Sequence, residues 1–500
     1  MKNKTTKSAI VIFFVVFSFG LLWALVTPGN TEAPDESSHV NMVRYLKENK
    51  KIPVFNDPNE KEIVQTVYDQ RIASGAYYSM AYNSPLNYLP FTSLSFSKSG
   101  VEKSTVFPMR LVSVLFVGLF AVFLYFGLIK FFPDNPREVF FSSLFVLMIP
   151  QVISTAGYVN VEPFSLMVSA IAFYFLSRIL FEKKEALTSY IFLGLALGAM
   201  ALTKVNYYLL FLFFGLIILR DFMLAKDRRK KAKNYLVSVT LALIIPAWWW
   251  ARNLVLYGDP LIMTYIKNEI LGKAPSWLET PADHGYTFLT IFGNRDFFDR
   301  GILGFFASLG GATIKMAGFY YLAFFLILSA LIILAVLRGS KKYRPFILFS
   351  GLTIIVSLLM FASKNLYDFS PQGRHLFPII LPLSFLVSLG VSAISSEKIR
   401  KLASAVALVF IFFSVYSGLY YLLKGYYLTG SAYAIPYSGP TLAGFSFWPI
   451  DLSAYYRLIN FINFNSIWAN YWTIFAFVLS LASLFLVFKQ VLFQDKKRLE

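Results

Sequence analysis

The chain has 500 residues, of which 57% are hydrophobic, 18% aromatic and only 15% charged, with a mean hydropathy of +0.59. Soluble domains carry about 25% charged residues, so this composition excludes a string of soluble domains and points to an all-α polytopic membrane protein. The formal charge of +19 is not a nucleic-acid footprint, because the excess sits in short connections on one side of the apolar runs. With no cysteine and three scattered histidines, disulfides and thiolate metal sites are excluded, and a histidine-based metal centre is disfavoured.

In chain order, MKNKTTK and the apolar run 8–26 have the outline of a signal peptide. The run is longer than a usual h-region and TPGNTEAP offers no small-x-small cleavage site, so it reads as a retained first helix with its N-terminus inside. Further spans are expected at 108–130, 138–157, 161–181, 187–203, 206–221, 235–251, 317–337, 345–362, 376–395, 403–423 and 470–490, which makes about 12 transmembrane helices. Alternating sides then places the basic segments 2–7, 178–184, 220–233, 338–344, 398–401 and 489–498 in the cytoplasm. The long connections 27–107, 252–315, 363–375 and 424–469 fall on the other side. They are rich in Trp, Tyr, Pro, Asp and Asn, as suits a cap that bears a site. The expectation is one integral membrane domain over 1–500 in the cytoplasmic (inner) membrane, with both termini cytoplasmic.

The stretch TEAPDESSHVNMVR at 31–44 follows the first span directly. Pro34 suits the first turn of a helix, and Asp35 and Glu36 complement the positive end of its dipole. His39 lies one turn after Asp35, while Val40, Val43 and Leu46 form an apolar stripe. A helix cap with two solvated carboxylates would look the same in isolation. Other polar residues share that membrane side: Arg110 in FPMRLVS, Asn160 and Glu162 in GYVNVEP, Lys204 in ALTKVNYY, Arg252 and Asn253 in WWWARNLVLYGDP, and Arg374 and His375 in SPQGRHLFP. Plainer roles are available: snorkelling for Arg110 and Lys204, capping for Asn160, a helix-dipole partner for Glu162, and lipid phosphate or a helix end for Arg252.

Together, acids at Asp35, Glu36 and Glu162 share one membrane face with bases at Lys204, Arg252 and Arg374. A lipid-phosphate leaving group develops negative charge that Lys and Arg stabilise. A sugar hydroxyl becomes a nucleophile when a carboxylate takes its proton. No nucleotide-binding signature is present, so a lipid-linked donor fits better than a nucleotide sugar. The expected catalytic acids are therefore Asp35, Glu36 and Glu162. The expected substrate-binding residues are His39, Arg110, Asn160, Lys204, Arg252, Asn253, Arg374 and His375. Three outer acids could also bind a divalent metal through oxygen, although no cofactor is required. A transporter or flippase of lipid-linked sugars is the alternative, which would need its charges near the midplane. A non-catalytic envelope-assembly protein is another.

These motifs resemble the bacterial membrane-protein family known as domain of unknown function 2142 and, more broadly, the GT-C glycosyltransferase superfamily. PDESSH is similar to that family's first-loop PDExxH motif, and GYVNVEP to its second acidic motif, with Glu162 where Asp is commoner. ALTK at 201–204, RNLVLYGDP at 252–260 and QGRHL at 372–376 also match family features, His375 standing where Tyr is usual. The resemblance implies a GT-C-like helix arrangement and a polyprenyl-phosphate sugar donor used at the outer face of the membrane. It also implies a glycan, lipid or protein acceptor, with Asp35 or Glu36 as general base and Glu162 as the second acid.

Overall fold

A polypeptide crossing hydrocarbon must satisfy its backbone internally, which long apolar runs do as helices. The computed structural model describes residues 2–27, 33–54, 80–93, 103–182, 186–266, 268, 280–310, 313–429 and 467–493. Named strands are absent among them, and one isolated bridge pairs Leu309 with Ile314. The helices are α1 (Lys2–Val26), α2 (Glu36–Asn49), α3 (Lys103–Phe131), α4 (Pro136–Leu147), α5 (Pro150–Ser154), α6 (Glu162–Phe181) and α7 (Leu187–Ala201). They continue with α8 (Leu209–Leu224), α9 (Arg228–Tyr257), α10 (Gly318–Arg338), α11 (Arg344–Tyr367), α12 (Ile380–Ser392), α13 (Glu397–Thr429) and α14 (Ile467–Phe493).

All twelve expected stretches are helical. Among the described residues, ten helices are long and apolar enough to cross a membrane. The run 138–157 is a bent pair, α4 and α5, with a 65° turn between them. Pro150 causes the break: it has no N–H to give, and it holds Ile149 in an extended conformation at ψ 126°. The run 187–203 forms only the 15-residue α7, because the chain turns at Thr203–Lys204 before the next span. The molecule is a multi-pass membrane protein.

α3 lies at the centre, packed on α1 and α6, while α12 is enclosed by α4, α10 and α11. α7 lies close along α9 because Gly194 has no side chain: a Cβ there would stand 2.6 Å from the Ser238 carbonyl oxygen. Ion pairs fasten the end of the bundle that carries the basic connections. They join Lys130 to Glu182 at 2.8 Å, Arg400 to Glu138 at 2.7 Å and Lys231 to Asp221 at 2.8 Å. The opposite end gathers α2, the turns at 80–93, the start of α6, Lys204, the segments 280–310 and 313–317, and the start of α12. Much of the expected cap, namely 55–79, 94–102, 269–279 and 430–466, lies outside the described residues.

Candidate active site

The two adjacent acids that open α2 go to different partners. Asp35 caps the helix in the left-handed region, at φ 61° and ψ 6°, a conformation that Asp tolerates better than most residues. Its carboxylate accepts a hydrogen bond from Nη2 of Arg374, and its side chain keeps 25% exposure. Glu36 is buried. Arg110 Nε and Nη2 donate to its Oε1 at 2.8 Å and its Oε2 at 2.5 Å, and the Val159 N–H donates to Oε1 at 2.9 Å. Nη1 of the same guanidinium donates to the carbonyls of Ala24 and Thr27 at 3.1 and 2.6 Å, closing the open end of α1.

Glu162 begins α6. Lys204 Nζ lies 2.6 Å from its Oε1, and Arg374 Nε lies 3.8 Å from the same atom. Oε2 is buried without a hydrogen-bond partner among the described residues, an exception that calls for a reason in an interior where polar atoms are normally paired. Arg374 thus stands between the two acids, Asp35 on one side and Glu162 on the other. Its Nε donates to Gln372 Oε1 at 2.7 Å, and Nη1 reaches the Tyr158 hydroxyl at 3.3 Å. The turn that presents it depends on Gly373, where a Cβ would fall 1.9 Å from the Gly304 carbonyl carbon. The backbones of 304 and 373 touch, so only glycine fits.

His39 Nδ1 lies 2.9 Å from the Tyr88 hydroxyl, which also accepts from Asn83 Nδ2 at 3.1 Å. Burial lowers the His39 pKa to about 4 against the opposing pull of Asp35 and Glu162, so the ring is neutral near pH 7. Burial likewise pushes the Tyr158 hydroxyl up and the Lys204 ammonium down, the latter countered by Glu162. Asp35, His39, Glu162, Lys204 and Arg374 therefore form one electrostatic cluster.

Several expected residues are used elsewhere. Arg110, expected to bind substrate, is committed to Glu36 and two carbonyls, and Glu36, expected among the catalytic acids, is committed to Arg110 and Val159. Asn160 shapes its own turn, donating to the carbonyls of Thr155 and Tyr158 and accepting from the Glu162 N–H at 2.9 Å. Arg252 does not join the cluster: it donates to the Pro53 carbonyl at 2.8 Å, beyond the far end of α2, and stacks on Trp249. Asn253 donates to the Pro260 carbonyl at 3.2 Å. His375 supplies its carbonyl to Asn206, while its Nδ1, near Phe361, is buried without a partner among the described residues. Sequence reading did not single out Tyr158, Tyr88 and Asn83. Tyr158 sits inside GYVNVEP, so its signal was its place within a motif already noted, and the other two sit in the aromatic stretch YNSPLNYLP of the first long connection.

Among the described residues no group of three or more His, Asp or Glu could hold a metal ion. Each of the three acids considered for one faces a cation instead.

A family model for dolichyl-phosphate-mannose-protein mannosyltransferase matches residues 95–250. No curated protein matches. Among solved structures, apo ArnT from Cupriavidus metallidurans is 13% identical with a TM-score of 0.50, covering 97% of this chain and 78% of its own. The same protein bound to undecaprenyl phosphate gives 14% identity and 0.49, with 98% and 77% covered. The Archaeoglobus fulgidus oligosaccharyltransferase in complex with Zn and sulfate gives 14% identity and 0.47, with 86% of this chain covered and 54% of that one. The fold is GT-C-like.

Proposed function

We propose that the protein is a membrane glycosyltransferase that moves a sugar from a polyprenyl-phosphate donor to a cell-envelope acceptor on the outer face of the cytoplasmic membrane. The observation that carries this reading is the shared position of Arg374 between Asp35 and Glu162, with Lys204 on Glu162. Glu162, Lys204 and Arg374 stand at or beside the starts of apolar spans, and Asp35 opens α2, rather than at the middle of any span. That placement favours surface chemistry over transport. The matched mannosyltransferase model and the likeness to ArnT support the same class.

In the reaction, the bond between the sugar anomeric carbon and the phosphate oxygen breaks, and the acceptor oxygen bonds to that carbon. Polyprenyl phosphate leaves with the electron pair. Lys204 and Arg374 stabilise the charge that develops on it. The acceptor hydroxyl gives its proton to Asp35, the acid with solvent exposure and a single named partner. Glu162 holds Lys204 and Arg374 in place and offers its unpaired Oε2 to the sugar. The long loops form the cap over this site, and the termini are cytoplasmic.

The test is transfer from purified polyprenyl-phosphate sugars by the full chain in nanodiscs. Asp35→Asn should lower turnover by about 10²–10⁴-fold with donor affinity near native. Near-native turnover would remove Asp35 from the chemistry.

A further inference from the structure

At the end of the bundle that carries the basic connections, several cations are matched to acids: Lys130 and Arg178 to Glu182, Lys231 to Asp221 and Arg400 to Glu138. The turn between α10 and α11 differs. It carries Arg338, Lys341, Lys342 and Arg344, all exposed, and the sequence has no Asp or Glu between Asp299 and Asp368. Arg220, half-buried near the end of α8, lies on the neighbouring helix, since α8 packs on α11. Among the described residues none of these five cations pairs with a carboxylate.

Two of the five are held on aromatic rings. Arg220 Cζ lies 5.0 Å from the centre of the Phe346 ring, and Lys342 Nζ lies 6.0 Å from that of Phe181 and 5.3 Å from that of Tyr343. Phe131 joins these rings into one cluster. It meets Phe346 and Phe181 at 5.1 and 4.7 Å, and its carbonyl accepts from the Tyr343 hydroxyl at 2.6 Å. A ring face fixes a cation's position while leaving N–H donors for an anion. Apolar surface begins at once beside the charges: Leu219, Leu337 and Leu348 are exposed on helices long and apolar enough to cross a membrane.

We infer that this patch is a binding site for an anionic phospholipid of the adjoining leaflet. Arg220 and Lys342 take its headgroup phosphate, and its acyl chains lie along the exposed apolar faces of α8 and α11. The pairing of unmatched cations with an apolar flank favours a lipid, because a soluble acidic protein would use only the charge. The site is independent of the reaction at the opposite end of the bundle.

The test mixes the full chain in detergent with equimolar palmitoyl-oleoyl phosphatidylglycerol and phosphatidylcholine, and reads the first bound lipid by native mass spectrometry. Two cations at the headgroup should give phosphatidylglycerol about a 10-fold preference at low salt. Arg220→Gln combined with Lys342→Gln should abolish the preference. Arg220→Lys combined with Lys342→Arg keeps both charges and should retain it. Arg229→Gln combined with Lys230→Gln removes the same charge from exposed positions at the start of α9 and should leave it intact. The inference is overturned if the unaltered chain shows no preference, if the Arg220/Lys342 glutamine pair keeps it, or if the charge-conserving pair loses it. Equal loss in both glutamine pairs also overturns it, since that result means a diffuse basic field without a site. Capture of an oligoglutamate peptide without any preference for phosphatidylglycerol would assign the patch to an acidic protein instead.

Discussion

Glu36→Gln separates a structural acid from a catalytic one. The side chains of Glu36 and Arg110 are 1% and 0% exposed, and the pair is bidentate. Removing one charge leaves the other desolvated without compensation, which costs about 3–5 kcal/mol. Arg110→Met should be at least as damaging, because it also strips the carbonyls of Ala24 and Thr27 of a donor. Each buried acceptor left unpaired adds about 1–3 kcal/mol. The double variant E36Q/R110M removes both charges at once, so its loss should fall short of the summed single losses by about 2 kcal/mol. Equilibrium unfolding in mixed SDS–detergent micelles measures all three. If Glu36→Gln unfolds within about 0.5 kcal/mol of wild type, as an ordinary surface change would, while abolishing sugar transfer, Glu36 is the catalytic acid and the assignment to Asp35 is wrong.

His39 supplies a pH dependence. Its folded pKa of about 4 lies below the ordinary 6.5, so between those values the unfolded state binds more protons. Stability is then lost as pH falls through that window, by up to roughly 3 kcal/mol. His39→Gln should flatten the unfolding profile between pH 6.5 and 4, and an unchanged slope would exclude the buried neutral ring. Gly373→Ala should fail to accumulate as folded protein, because its Cβ meets the Gly304 backbone at 1.9 Å. Monodisperse elution at wild-type yield would contradict that packing. For sidedness, a cysteine at the 77% exposed Leu289 should react with an impermeant thiol reagent in intact cells, and one at Lys230 should not. The reverse pattern would invert the topology.

The helices were legible because hydropathy over twenty residues is a sum that no single contact can alter. The bend at Ile149–Pro150 was legible in principle, since proline breaks a helix, but its angle depends on packing against neighbours. The acids were legible as motifs. Their division of labour was not, because Glu36 and Arg110 are 74 positions apart and Asp35 and Arg374 are 339 apart. Nothing local to PDESSH says which acid meets which base. The same distance in sequence hid the fate of Arg252, whose partner is the carbonyl of Pro53. A backbone carbonyl leaves no trace in side-chain composition. Lys204 was found because a lysine between two apolar runs is conspicuous.

The opposed partners of Asp35 and Glu36 make this stretch intolerant of changes in chain length. The Thr27 carbonyl at the end of α1 and the Glu36 carboxylate at the start of α2 are held by the same Arg110 guanidinium. Inserting or deleting one residue immediately before α2 would bring a different side chain to Arg110 and turn the other carboxylate away from Arg374. Point substitutions here can be graded, because each alters one partner. A single-codon insertion or deletion alters both at once, and a duplicated residue between 33 and 36 should therefore be as damaging as loss of either acid.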